Sequence, residues 1–415
     1  MKITNFTENN TIISILDRIP KGKRYSDIED ADGNQYVDLV QEGGGVLGIA
    51  LVGYTFILEN AGIRFFSLAG TSAGAINTIL MAGLGKIKEA KSEKILDILS
   101  KKDLFDFVDG HKVVRKIINK VIKKEKGLGR ALVWNGIKIY KILKRKLGLN
   151  PGSNFETWIT EELKKAGIIS LIDLKNLRKI LPQGLKYVVT GEEVTDAVAK
   201  LAIITSDITT HTKVEFPRMA ELYWADPNSI SPAKLIRASM SIPFFFEPFE
   251  IVNIPNAGNE YDEKWYDYAR YKGPVPSEVK FVDGGLLSNF PINVFHREDG
   301  GVPRMPTFGA RLSTYRKNFS KTDSILGLSG AMISTMRQIH DYDFLLKHPD
   351  YSKLICSIDA DGQFNWLDFN MSKDDQVELF NLGAEKALEF LKEFEWENYK
   401  EIRKNRSKEI STNNT

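Results

Sequence analysis

One cysteine, Cys356, stands in a chain of 415 residues. A single thiol excludes an intrachain disulfide framework and a cysteine-ligated zinc site, and it fits a reducing compartment. Within the strand-like "KLICSID" it reads as a small buried hydrophobe. Histidine is almost as scarce, with His111, His211, His296, His340 and His348 as the whole supply. No run of about 18 apolar residues suggests a membrane span, and the opening "MKITNFTENNTI" lacks the apolar core of a secretory signal. A cytoplasmic protein is therefore expected. The longest apolar stretch, Gly43 to Leu58, is glycine-rich and closed by Glu59 and Asn60, and reads as a loop followed by a buried helix. With 42% hydrophobic and 27% charged residues, the composition is that of a globular chain with a sizeable core, neither collagen-like nor disordered.

What is present is a sequence of alternating elements. "QYVDLVQ", "EGGGVLG", "IALVGYTFILENAG" and "IRFFSLAG" read as strand, glycine loop, helix and strand. That is a β-α-β unit, which requires a parallel pair with a right-handed crossover. From Lys86 to about Leu181 the text turns helical and Lys-rich, and strands return in "LKYVVTG" and "LAIITSDITTHTKVEF". The division expected is an unassigned segment 1–35, an α/β domain 36–300 carrying the helical insertion 86–181, an α/β part 301–398 that completes the core, and a polar, frayed tail 399–415.

The chemistry concentrates at three turns. In Gly70-Thr71-Ser72-Ala73-Gly74, small residues two before and two after a serine allow a sharp strand-to-helix bend that thrusts out its hydroxyl; the plainer alternative is a helix cap. "GGGVLG" fits a dinucleotide fingerprint, but that motif needs an acidic residue at the end of the next strand, where this chain has Gly70, Thr71 and Ser72. As a companion to Ser72 the loop leaves the amides of Gly44, Gly45 and Val46 uncovered, ready to receive an oxyanion. Asp283 ends a strand and is followed by Gly284 and Gly285. It is the candidate base, with a turn-capping aspartate as the alternative.

The order "GGGVLG", "GTSAG", "DGG", with "LAIITSDITTHTKVEF" and "IRASMSIPFFFEPF" between the last two, resembles the patatin-like phospholipases over roughly residues 37 to 300. The resemblance implies a three-layer α/β/α core with a mainly parallel sheet and a Ser-Asp dyad without a histidine. It makes Ser72 the nucleophile, Asp283 the base, and the loop of Gly43, Gly44, Gly45 and Val46 the oxyanion hole. It implies a lipid acyl hydrolase that works through an acyl-serine intermediate without metal or other cofactor. Two departures stand out: Leu47 where the family commonly has Arg or Lys, and Glu42 where it often has Asp. An α/β-hydrolase triad would instead recruit His296, His340 or His348. A non-catalytic membrane-binding protein of the same fold is the rival from a different class.

Between Lys112 and Leu147 stand thirteen Lys or Arg against one acid, Glu125. Val113, Val114, Ile117, Ile118, Val121 and Ile122 recur among them at helical spacing. Such a basic amphipathic helix suits an anionic lipid surface, with Lys116, Lys120, Lys123 and Lys124 as the contacts; a solvated helix packed on the core is the simpler alternative. No nucleic-acid motif accompanies the charge. The expected partners are membrane lipids, met peripherally.

Overall fold

A computed structural model describes residues 2–122, 128–256, 258–297, 301–314, 316–317, 319–320, 322–323 and 325–413. The elements that carry the argument are β1 (Gln35–Gln41), α1 (Gly48–Asn60), β2 (Ile63–Thr71), α2 (Ala73–Gly83), α3 (Lys112–Ile122), α4 (Leu128–Lys146), β3 (Leu201–Asp207), β4 (Thr212–Phe216), β5 (Phe249–Val252), β6 (Glu278–Asp283), β7 (Thr307–Arg311), α5 (Ile325–Lys347), β8 (Ile355–Ser357) and α6 (Lys373–Glu393). One sheet runs in the order β8-β7-β1-β2-β3-β6-β5. β8, β7, β1, β2 and β3 are mutually parallel, while β4 and β6 lie antiparallel to β3. The expected β-α-β unit is β1-α1-β2, with Val40 paired to Ala69 and Gln41 to Gly70.

β2 and β3 are buried at nearly every position rather than at alternate ones. That is the pattern of central strands covered by helices on both faces, and the chain has the α/β architecture expected of it. α1 is apolar all round and buried from Ile49 to Glu59, as befits a helix with no solvent face. Its close neighbour α6 begins at Ser372, whose hydroxyl accepts the Asp375 amide at 3.0 Å. The two helices approach through a pair of glycines: a methyl on Gly53 would collide with the Phe380 carbonyl, and one on Gly383 with the Ala50 carbonyl.

The N-terminal segment left unassigned has a definite place, and the C-terminal tail departs from expectation. Residues 1–35 are part of the core, because the helix Asn10–Asp17 and its surroundings bury Phe6, Ile12, Ile15 and Tyr25. The tail 399–415 was expected to fray, yet the helix Trp396–Asn413 runs through most of it, with Tyr399 and Arg403 buried. Arg403 reaches Asp350 at 3.1 Å, and Arg406 joins the same carboxylate. Polar composition hid this docking, since its anchors are ion pairs made far along the chain.

The insertion is helical, with Ser92–Lys101, α3, α4, Ser153–Lys165 and Leu171–Arg178 in succession. Of the apolar stripe of α3, Val114, Ile117 and Ile118 are buried and Val113 is half-buried, while the side chains of Val121 and Ile122 lie outside the described ones. Lys116 is exposed and Lys120 half-buried, while Lys123 and Lys124 lie outside the described residues. Among the described residues, no helix is long and apolar enough to cross a membrane.

The glycine crossing yields a stability prediction. Gly383→Ala should push α6 away from α1 and lower stability by about 1–3 kcal/mol, as overpacking of a tight contact does. A thermal melt with an unchanged Tm would mean that the helices part freely.

Candidate active site

β2 ends where the chain must turn sharply. Thr71 still pairs with Ile204 on β3, and the next residue, Ser72, takes φ 52° and ψ −117° before α2 begins. A β-carbon makes that backbone unfavourable by about 1–3 kcal/mol, a strain of the kind found at functional turns. Gly70 and Gly74 are required for a different reason. A methyl on Gly70 would collide with the Gly74 carbonyl group, and one on Gly74 with the Gln41 carbonyl, so the elbow is a stack of three backbones in contact. The amide of Ser72 is held at 2.9 Å by the Ser239 hydroxyl, which itself donates to the Ile204 carbonyl at 2.5 Å. Ser72 thus sits at the positive end of α2 with its amide fixed and its side chain at the rim of a cavity.

β6 brings Asp283 to meet it. On β3, the whole stretch Ile203–Asp207 is flanked on one side by β4. The other side is shared: β2 pairs with Leu201 to Ile204, and β6 takes over at Thr205, which pairs with Asp283. Two strands running in opposite directions therefore meet end to end in one lane, and their last residues fall together. The Thr71 hydroxyl ties the junction by donating to the Ser288 carbonyl at 3.0 Å. Asp283 is buried, and one of its oxygens accepts the Gly285 amide at 2.7 Å. Burial pushes its carboxyl above the usual carboxylate range, against the opposing pull of Arg337, the Ser72 hydroxyl and the Gly285 amide.

The glycine loop lies beside both. Gly43 faces Ser72, since a methyl there would lie 3.1 Å from the Ser72 Cβ. The four loop residues are not equivalent, which corrects the expectation that the amides of Gly44, Gly45 and Val46 are all uncovered and that Gly43 joins them in the hole. The Gly43 amide donates to the Asn289 carbonyl at 3.0 Å, and the Val46 amide to the Trp366 carbonyl at 3.0 Å. The amides of Gly44 and Gly45 have no partner among the described residues. Gly45 has φ +56°, and a methyl on it would collide with the Trp366 carbonyl, so glycine is required there. The buried Glu42 carboxyl group accepts from the Leu312 amide (2.6 Å), the Ser313 amide (2.8 Å) and the Ser313 hydroxyl (2.7 Å), and so fixes the loop to the end of β7. Leu47 is buried.

Ser72 opens onto a cavity of about 70 Å³ whose walls are almost wholly apolar. α1 and α2 supply Ile49, Val52, Ile76 and Leu80, and Phe369 closes another side. The insertion supplies Ile95, Leu99, Leu104, Phe107, Phe155 and Trp158, and the loop after Ser239 adds Met240, Ile242 and Phe246. Sequence reading placed the insertion outside the catalytic core and missed this role, because no local pattern distinguishes a cavity wall from ordinary core.

The histidines stand elsewhere. His296 Nδ1 lies 2.7 Å from the Tyr351 hydroxyl and its ring packs on His348 and Phe344. Burial lowers its pKa to about 4. Among the described residues, no histidine lines the cavity at Ser72. Three residues at the site escaped sequence reading. Asn289 holds Gly43 from both sides, through its own carbonyl and through its side-chain Nδ2 at 3.1 Å from the Gly43 carbonyl. Ser239 positions the Ser72 amide. Arg337, on α5, reaches Asn289 Oδ1 at 2.9 Å. The first two follow motifs that were already in view; Arg337 has no sequence signal at all.

A curated relative, the uncharacterized protein YqhO of Bacillus subtilis, is 28% identical over 361 residues, which cover 86% of this chain and 99% of YqhO. Among solved structures, VipD from Legionella pneumophila aligns with 92% of this chain and 73% of its own at 15% identity and a TM-score of 0.38. ExoU in complex with SpcU, from Pseudomonas aeruginosa, aligns with 86% of this chain and 52% of its own at 17% identity and a TM-score of 0.33. The patatin-like phospholipase profile matches residues 39–296, a span that holds the glycine loop, Ser72 and Asp283, and the chain belongs to that family.

Proposed function

We propose that this protein is a lipid acyl hydrolase in which Ser72 and Asp283 act as a dyad on carboxylic esters. The observation that carries the reading is a hydroxyl on a strained turn that meets a buried carboxylate, beside a loop with two unpartnered glycine amides and an apolar cavity that Ser72 and Gly45 line. An acyl chain lies in the cavity with its ester carbon against Ser72. The Ser72 Oγ attacks that carbon and its proton passes to Asp283, while the carbonyl oxygen, now an anion, receives the amides of Gly44 and Gly45. Collapse breaks the ester C–O bond, and Asp283 returns the proton to the departing alcohol. A water then repeats the sequence on the acyl-serine, releasing the fatty acid and restoring both side chains. Desolvation makes Asp283 a better base than a carboxylate in water, which supports a dyad without a histidine.

Membrane contact rests on charge in this reading. Lys112, Lys116, Lys138, Lys141 and Lys144 are exposed on α3 and α4, and Ile137 and Tyr140 stand exposed among them. Each such cation contributes on the order of 1 kcal/mol near an anionic leaflet.

Three measurements test the reading. Hydrolysis of a short p-nitrophenyl ester should fall by about a thousandfold or more in Ser72→Ala and in Asp283→Asn with the fold intact, whereas alanine at His296, His340 or His348 should leave most of it. A histidine as indispensable as Ser72 would establish a triad, and a wild type no faster than Ser72→Ala would leave a non-catalytic binding protein. Asp283 must be ionised to act and its pKa is raised, so kcat/KM should rise with pH through a limb that lies above the usual carboxylate range; a limb at or below that range would remove Asp283 as the base. Finally, reversing Lys116, Lys138, Lys141 and Lys144 to Glu should abolish the preference of the protein for anionic over zwitterionic vesicles in sedimentation, without altering hydrolysis of the soluble ester. Unchanged binding would make α3 and α4 ordinary solvated helices.

A further inference from the structure

A groove of about 350 Å³ lies away from the dyad and shares no lining residue with the cavity at Ser72. Leu201, which opens β3, lines it, whereas the dyad meets β3 near its other end, where Thr205 pairs with Asp283. The helix Leu171–Arg178 supplies Leu171, Leu174, Lys175 and Arg178, and Lys179 follows directly after it.

Its charges have one sign. Lys175, Arg178 and Lys179 line the groove, and among the described residues no Asp or Glu does. Lys175 donates to a neutral oxygen, Asn228 Oδ1, at 2.8 Å. Cations in the last turn of a helix offset its dipole, which accounts for Lys175 and Lys179. It does not account for Arg178, which is only 5% exposed. The Arg178 Nη2 donates to the Phe66 carbonyl, but Nε and Nη1 have no hydrogen-bond partner among the described residues. Burial lowers the pKa of this side chain to about 10, against the pull of Asp38, so it remains charged at neutral pH. Asp38 itself accepts the Ser67 amide at 2.9 Å and is also drawn on by Lys200. A buried guanidinium short of acceptors is a costly arrangement, and an anion in the groove relieves it.

Wall and charge together select the ligand. Leu171, Leu174, Leu181, Ala197, Leu201 and Pro217 make most of the lining apolar. An inorganic anion would leave that surface wet, and a neutral lipid would leave three cations without a counter-charge. A single acyl chain that ends in a carboxylate answers both, with its head at the cations and its chain on the apolar wall. We propose that this groove binds a free fatty acid through Arg178, Lys175 and Lys179. Ester cleavage at Ser72 would release a ligand of the same class, but the assignment stands on the groove alone and does not depend on that chemistry.

The test uses the full chain and decanoate below its micelle concentration, with decanol and acetate as the neutral and the chainless probe. Amide hydrogen exchange locates the site, because decanoate should slow exchange in residues 171–181 and 195–201, the segments that line most of the groove. Decanol and acetate should protect those segments only at concentrations at least about tenfold higher, the range of a charge-assisted hydrogen bond. Lys175→Glu/Lys179→Glu replaces attraction by repulsion and should weaken the effect of decanoate by at least about tenfold while leaving that of decanol unchanged. Arg178→Met should weaken decanoate as much; where its melt shows a damaged fold, the lysine pair decides instead. Protection confined to the elements around Ser72 would place the chain in the catalytic cavity. Equal protection by decanol would make the groove an apolar trough, and equal protection by acetate a simple anion site. Each of these results overturns the proposal, as would an absence of binding or an unchanged response in the lysine variant.

Discussion

Thr71 pairs with Ile204, and Asp283 with Thr205, the next residue along the same strand. Nearly everything at the site depends on that register. Because β4 occupies the far side of β3, β2 and β6 have a single lane to share, and they enter it from opposite ends. The residue after one strand and the last residue of the other then converge without any loop having to hold them. A shift of one residue in the β3-β6 ladder would turn Asp283 to the opposite face of the sheet, and one in the β2-β3 ladder would displace Ser72. The contacts around the junction, from the Thr71 hydroxyl to Ser288 and from the Ser239 hydroxyl to both the Ser72 amide and the Ile204 carbonyl, fix the register from several directions.

The glycines follow from the same crowding. Gly70, Gly74 and the Gln41 carbonyl form a stack with no room for a side chain, and the bend it permits gives Ser72 its left-handed backbone. The loop that carries Gly44 and Gly45 is held at both ends: the Gly43 amide is bound by Asn289, the Val46 amide by Trp366, and Glu42 anchors the approach to it. Two amides remain between fixed points. Held so, they are fixed in place, the condition under which backbone dipoles stabilise a developing charge most strongly and the one the proposed oxyanion role requires.

Around this centre the protein separates apolar from polar space. The insertion that interrupts the core returns to it through Leu104, Phe107, Phe155 and Trp158 and closes the apolar cavity. α5, from the other end of the chain, lines a polar space beside the glycine loop with Arg337 and Asp341. Val114, Ile117 and Ile118 of α3 are buried, which periodicity alone leaves open: an amphipathic helix beside a core and one beside a bilayer look the same in sequence, and only the third dimension supplies the neighbour.

The sequence by itself determined the β-α-β unit, the elbow at Ser72, the glycine loop and the strand that ends at Asp283, because each is a local pattern whose meaning lies in backbone geometry and in residues a few positions apart. It also carried the family, whose profile spans those same motifs. It did not determine which loop amides stay free, since their partners, Asn289 and Trp366, are hundreds of residues away and bind through backbone carbonyls that every residue type possesses. Nor did it reveal the docked ends of the chain, the cavity walls within the insertion, or Arg337. Those are contacts between segments remote in sequence, each chemically ordinary alone, and only the packing of the sheet and its helices brought them to one place.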